Sequence, residues 1–196
     1  MIIVNIMGGL GNQMFQYAAA RRLADIHDTI LRIDTTNFDR LTPNKDHNVQ
    51  LDCFSIKALQ AHRDEIGRFK SNPFRRFLRK ISKAPIPLIY EEPSNSAFKP
   101  EFLEIGSDAY LIGHFNSYKY SQPIKDLLVT EFQPLSAGPQ ADAILKKIDD
   151  TNSVSIHIRR GDYVTDPEVQ KGIAGIITDR YYRNAIDLMM SRVAAP

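Results

Sequence analysis

Two short stretches hold the residue types that chemistry needs. In the first, Gly8-Gly9-Leu10-Gly11-Asn12-Gln13, glycines crowd a turn that follows directly on the apolar run Ile2–Met7. Such a turn brings backbone amides, with a helix N-terminus behind them, close to an anion or a sugar. A dinucleotide fingerprint would place glycines at 9, 11 and 14, but position 14 is Met, so that cofactor reading fails at its third glycine. A purely structural turn is the competing reading. The second stretch is His157-Ile158-Arg159-Arg160-Gly161-Asp162, where two adjacent guanidinium groups follow an alternating apolar segment. A guanidinium is a planar fork, always charged, that matches a phosphate in two hydrogen bonds. If the ligand were a nucleoside diphosphate departing from a sugar, charge would build on its β-phosphate as the bond breaks. An arginine fixed there stabilises the transition state more than the ground state. A divalent metal held by paired carboxylates does the same work, but the sequence has no Asp-x-Asp, so arginine without metal is the consistent choice.

The competing account of this second stretch is a structural network in which Arg159 and Arg160 pair with Asp162 and other acids. Beside two guanidinium groups Asp162 stays ionised and makes a poor base. The tripeptide Arg160-Gly161-Asp162 also occurs in adhesive loops, but it would need an exposed loop on an extracellular protein, and nothing else in the sequence supports that. His114 follows an expected strand end, where it lines a cleft or sits satisfied in the fold. His27, His47 and His62 have no metal-ligand spacing, and Phe115, Tyr118 and Tyr120 read as packing surface before sugar platform.

These residues need elements to position them. Ile2–Met7 is a β-branched run, and Met14, Tyr17, Ala18, Ala20, Leu23, Ala24 and Ile26 then recur near a 3.6 period. That is strand, glycine turn and helix, with Gly11 or Asn12 as cap. A strand over Thr29–Asp34 completes a βαβ unit and a parallel pair. Ser55–Arg63 reads as helical, and the prolines at 85, 87, 93 and 100 mark an irregular connection. Further on come a strand at Ala109–Gly113, a helix near Pro123–Glu131, a break at Pro134–Pro139 and a helix at Gln140–Ile148. In Ser153–Tyr163, Val154, Ile156 and Ile158 alternate with polar residues as in a strand, and its C-terminal end delivers the arginines to the edge where open α/β sheets bind ligands. A last helix opens at Thr178 or Asp179.

Composition bounds the rest. The 196 residues are 43% hydrophobic and 24% charged, which suffices for a packed core and excludes disorder. Cys53 stands alone, so neither a disulfide framework nor a cysteine zinc site forms. A net charge of +2 does not call for nucleic acid. No apolar stretch reaches the length of a membrane span, and the opening residues lack the features of a signal sequence, so cytoplasm is the expected compartment. Residues 63–83 hold eight Lys/Arg against two acids, and Phe74, Phe77, Leu78 and Ile81 share a helical face there. That describes a basic amphipathic helix, either a surface helix or a peripheral contact with an anionic inner-membrane surface.

Residues 8–18, GGLGNQMFQYA, with residues 157–163, HIRRGDY, resemble the α-1,2-fucosyltransferases, family 11 of the glycosyltransferases, in their bacterial form. Gly113–Tyr120 and Asp179–Ile186 match further segments of that family. The resemblance implies a GT-B-like α/β enzyme with two domains: residues 1–150 a parallel-sheet, Rossmann-like, acceptor-side domain, and residues 153–196 the first βα unit of the donor domain. It implies GDP-β-L-fucose as donor, a β-galactoside glycan as acceptor, inversion, and no metal or other cofactor. Carried over, Arg159 and Arg160 clamp the pyrophosphate, with His157 and Asp162 as organisers. Gly9, Gly11 and Asn12 approach the donor from the opposite domain. Family members continue further than residue 196, so the 196-residue chain alone is expected to bind donor weakly and turn over poorly. An uncovered edge beside strand 154–159 would also permit dimerisation.

Overall fold

The computed structural model describes residues 1–39, 48–70, 88–93, 97–136, 138–158, 167 and 178–193. They fall into two compact units, Met1–Ser136 and Ala137–Pro196. The helix Pro139–Asp149, grouped with the N-terminal domain by the sequence reading, belongs by its contacts to the second unit.

The first unit is built on five parallel strands: β1 (Ile2–Asn5), β2 (Leu31–Asp34), β3 (Leu59–Gln60), β4 (Leu88–Glu91) and β5 (Ala109–Ile112). Their order across the sheet is β3-β2-β1-β5-β4. The register sets Ile2 against Leu31 on one side of β1 and against Ala109 on the other. β1 is therefore the central strand, and it is buried on both faces, which is why Ile2, Ile3 and Val4 read as an apolar run and not as an alternation. Ile2, Val4 and Ile6 pack under α1 (Leu10–Ile26), together with Tyr17, Ala20 and Leu23. Ile3 and Tyr110 face the other way and pack on Ile66 and Phe69 of a helix at Arg63–Phe69. A short helix α2 (Thr36–Asp39) follows β2, so the helix at 63–69 is α3, and α4 is Lys125–Glu131. The α/β class and the β1-α1-β2 unit expected from the sequence are present.

Several local expectations are corrected. α1 is capped by Gly9, with extended backbone and no side-chain cap; Gly11 and Asn12 lie inside its first turn. The helix expected over Ser55–Arg63 is not formed before Arg63, because Phe54, Ile56 and Ala58 pack on the core at a spacing of two, and β3 follows at once. The proline-punctuated connection contains β4, which ends before Pro93. This placement keeps the ladder amides intact. β2 starts at Leu31, after a turn in which Asp28 takes a left-handed φ of 44°. Phe115 and Tyr120 are fully buried in an aromatic cluster with Tyr90, Phe98 and Phe102, as packing surface should be, whereas Tyr118 is exposed. The amphipathic helix expected over Phe74–Ile81 lies outside the described residues.

In the second unit α5 (Pro139–Asp149) and α6 (Asp179–Arg192) are present, and the Thr178 hydroxyl caps α6 through the Tyr181 amide. The strand expected from Ser153 onward is not formed in its described part. Residues 153–158 have no ladder partner among the described residues, and Val154, Ile156 and Ile158 are 38%, 54% and 55% exposed. An alternating segment becomes a strand only when a neighbour takes up its amides. No described helix is long and apolar enough to cross a membrane.

Candidate functional site

The C-terminal edge of a parallel sheet gathers the strand-to-helix turns, and in this fold the glycine turn leaves the central strand there. Its backbone is set by Gly8, whose φ of +74° puts it in the region glycine tolerates. A Cβ at Gly8 would also stand 2.6 Å from Asn12 Nδ2. Gly9 and Gly11 are different, because a Cβ at either would meet nothing within 4 Å. The fold itself makes no use of the missing side chain at those two positions; an approaching ligand would. Behind them α1 starts without a side-chain cap, so the first amides of a 17-residue helix face outward with its positive end. The Asn12 carboxamide has no hydrogen-bond partner among the described residues. The arrangement suits a negatively charged or hydroxyl-rich group.

The two glutamines of the same motif point inward and are fully buried. Gln16 accepts from the Met7 amide at 3.0 Å and donates to the Met7 carbonyl at 3.2 Å. Gln13 donates to the carbonyls of Gly8 (2.9 Å) and Asn48 (2.7 Å) and accepts from the Gln50 amide at 2.9 Å.

Two further polar groups flank this turn, and the sequence reading named neither. At the end of β2, the fully buried Asp34 accepts from the Tyr110 hydroxyl and from the Thr36 amide (2.9 Å), and Lys70 Nζ stands 3.4 Å away. Burial pushes the Asp34 carboxyl up, but the bonds from Tyr110 and Thr36 and the Lys70 charge outweigh it and hold the group below the usual carboxylate range. Burial and the anionic partner push the Tyr110 hydroxyl well above the phenol range. Next to them Asn37 donates to Asn5 Oδ1 at 2.6 Å. The signal was there to read in Asp34-Thr35-Thr36, a carboxylate at a strand end that bonds the amide two residues on.

On the other side of β1, Glu92 Oε2 accepts from the amides of His114 (2.8 Å) and Phe115 (2.6 Å). Gly113 admits that carboxylate, since a Cβ there would lie 2.4 Å from Glu92 Cβ. Phe115 takes a φ of 52°, rare for a bulky residue, and Glu92 Oε1 is buried without a partner among the described residues. His114 itself is exposed at this edge. A groove of about 590 Å³ runs from Gly11 along α1 between Met14, Phe15, Tyr118, Val129 and Phe132.

Of the residues proposed from sequence, Gly9, Gly11 and Asn12 come together at the turn. His157 is exposed in the second unit, where it lines a 280 Å³ pocket with Ile156, Tyr182 and Met189. Arg159, Arg160 and Asp162 lie outside the described residues.

The sequence profile of glycosyl transferase family 11 matches residues 1–196. An alpha-1,2-colitosyltransferase of Escherichia coli is 31% identical over 192 residues, covering 97% of this chain and 64% of that protein. The O-antigen biosynthesis glycosyltransferase WbnK, also of Escherichia coli, is 29% identical over 208 residues, covering 92% of this chain and 65% of that protein. The chain thus spans a little under two thirds of the length of these relatives. No solved structure matches it.

Proposed function

Because the chain belongs to glycosyl transferase family 11, we propose that the whole protein transfers L-fucose from GDP-β-L-fucose to the 2-hydroxyl of a β-galactoside, with inversion and without a metal. The match of the family profile to every residue, 1–196, carries this reading. The uncovered glycine turn at the mouth of the sheet supports it. The reaction is a direct displacement: the acceptor oxygen attacks the anomeric carbon on the face opposite the departing GDP and gives up its proton. Charge then collects on the β-phosphate. In this reading Arg159 and Arg160 are the guanidinium groups that neutralise it, and Gly9, Gly11 and Asn12 are donor contacts.

In the full-length protein, Arg159→Ala and Arg160→Ala should each raise the barrier by about 2–4 kcal/mol in steady-state kinetics with GDP-fucose and lactose. Lysine at either position should restore little, because an ammonium cannot reproduce the fork. Near-normal turnover in both alanine variants would leave the arginines a structural role only. A second reading keeps the linkage and changes the sugar, since one relative is named for colitose. Competing GDP-fucose against a colitose nucleotide and comparing kcat/KM separates the two.

A further inference from the structure

The glycine motif divides into residues that face out and residues that face in, and the second group has a task of its own. We propose that Gln13 and Gln16 are positioning residues: they hold the Met7–Asn12 turn in the geometry that a ligand meets, without touching the ligand. This rests on the reading of the turn as a ligand-binding site. Gln16 bonds both the amide and the carbonyl of Met7, so its carboxamide stands in for a neighbouring peptide where β1 has left the ladder. Gln13 uses both amide hydrogens and its carbonyl oxygen: one bond goes back to Gly8 and two go across to Asn48 and Gln50. The turn is thereby tied to a segment thirty-five and more positions away in sequence. Both side chains are fully buried and bonded to backbone, so neither is exposed to a sugar or phosphate. Asn12, between Gly11 and Gln13, has no such engagement and is the motif's side chain left to face a ligand.

A ligand site made of backbone amides depends on its backbone being fixed before binding, because amides cannot adjust as a long side chain can. Gly8 in the left-handed region makes this turn soft in sequence terms, and the two glutamines replace that softness with five hydrogen bonds.

The test uses the full-length protein with GDP-fucose and lactose, at a temperature where all variants are folded. Gln13→Ala and Gln16→Ala are compared with Tyr17→Phe, which removes two buried hydrogen bonds of the next residue of the same helix, one to Glu131 and one from the Lys57 amide, neither of them to the turn. The glutamine variants should lose on the order of 10²-fold in kcat/KM. Their amides over Met7–Gly11 should exchange faster by mass spectrometry. Tyr17→Phe, with its own loss in Tm, should keep both constants and the exchange pattern of the turn. Gln16→Glu keeps the bond from the Met7 amide but sets a carboxylate against the Met7 carbonyl, and should resemble Gln16→Ala. If the glutamine variants keep wild-type kcat and KM like Tyr17→Phe, the positioning role is overturned. Gly9→Val and Asn12→Ala provide the separate check: unchanged turnover in both would instead remove the turn from the ligand site.

Discussion

At the scale of single residues, the three glycines of the turn are not equivalent, and substitution should separate them. Gly8→Ala places a Cβ against Asn12 at a left-handed φ and should cost about 1–3 kcal/mol, seen as a lower Tm. Gly11→Ala adds its methyl to open space inside a helix and should stabilise the fold by up to about 1 kcal/mol. The same methyl stands where a ligand would approach, so turnover in the full-length protein should fall while Tm rises. Asp34 offers a pH test. Its folded-state pKa lies below the ordinary value, so its contribution is present above the carboxylate range and disappears as pH falls through the lower, folded value. Asp34→Asn should therefore lose stability in urea at pH 7 and lose less relative to wild type at pH 3. Equal losses at both would mean the carboxyl is not held ionised. The glycine turn was legible from sequence because Gly8, Gly9 and Gly11 crowd together directly after an apolar run. Asp34 and Glu92 were not, because acids at strand ends are common and only tertiary pairing with Tyr110 or the Phe115 amide singles these out.

At the scale of elements, legibility followed burial pattern. β1 and α1 were readable because Ile2, Ile3 and Val4 are apolar in succession and Tyr17, Ala20, Leu23 and Ala24 recur near the helical period. β3 and β4 were not: one has two residues, the other lies among prolines, and both owe their form to the strand they pair with. The link between α1 and α4 was likewise invisible in sequence. Tyr17 donates to Glu131, Arg21 Nε lies 3.1 Å from the same carboxylate, and Glu131 is almost wholly buried. Burial, then the bond to Glu131, pushes the Tyr17 hydroxyl above the usual phenol range. Glu131→Ala removes the buried partner of both Tyr17 and Arg21, leaving Arg21 only the half-exposed Asp25 at 3.6 Å, and should cost about 3–5 kcal/mol, whereas the exposed Val129→Ala should stay within about 0.5 kcal/mol. Chemical denaturation of both variants checks the contrast.

At the scale of the molecule, the described residues divide unevenly. Every buried core residue belongs to Met1–Ser136, while no described residue of Ala137–Pro196 is buried. Ile144, Leu145 and Ile148 of α5, with Tyr181, Ile186 and Met190 of α6, are all more than 40% exposed. In hydrogen exchange, amides of β1 and β5 should open only with global unfolding, and those of α5 and α6 should exchange far sooner. Protection of α5 equal to that of β1 would contradict this. The topology also dictates a history. Ile2, among the first residues made, takes Ala109 as its partner on one side, and that residue leaves the ribosome on the order of ten seconds later. Until then the innermost strand of the sheet has one margin of unpaired amides and carbonyls beside the apolar side chains of Ile2, Ile3 and Val4, so nascent chains halted short of residue 112 should be prominent clients of holdase chaperones, and those released beyond it should escape them.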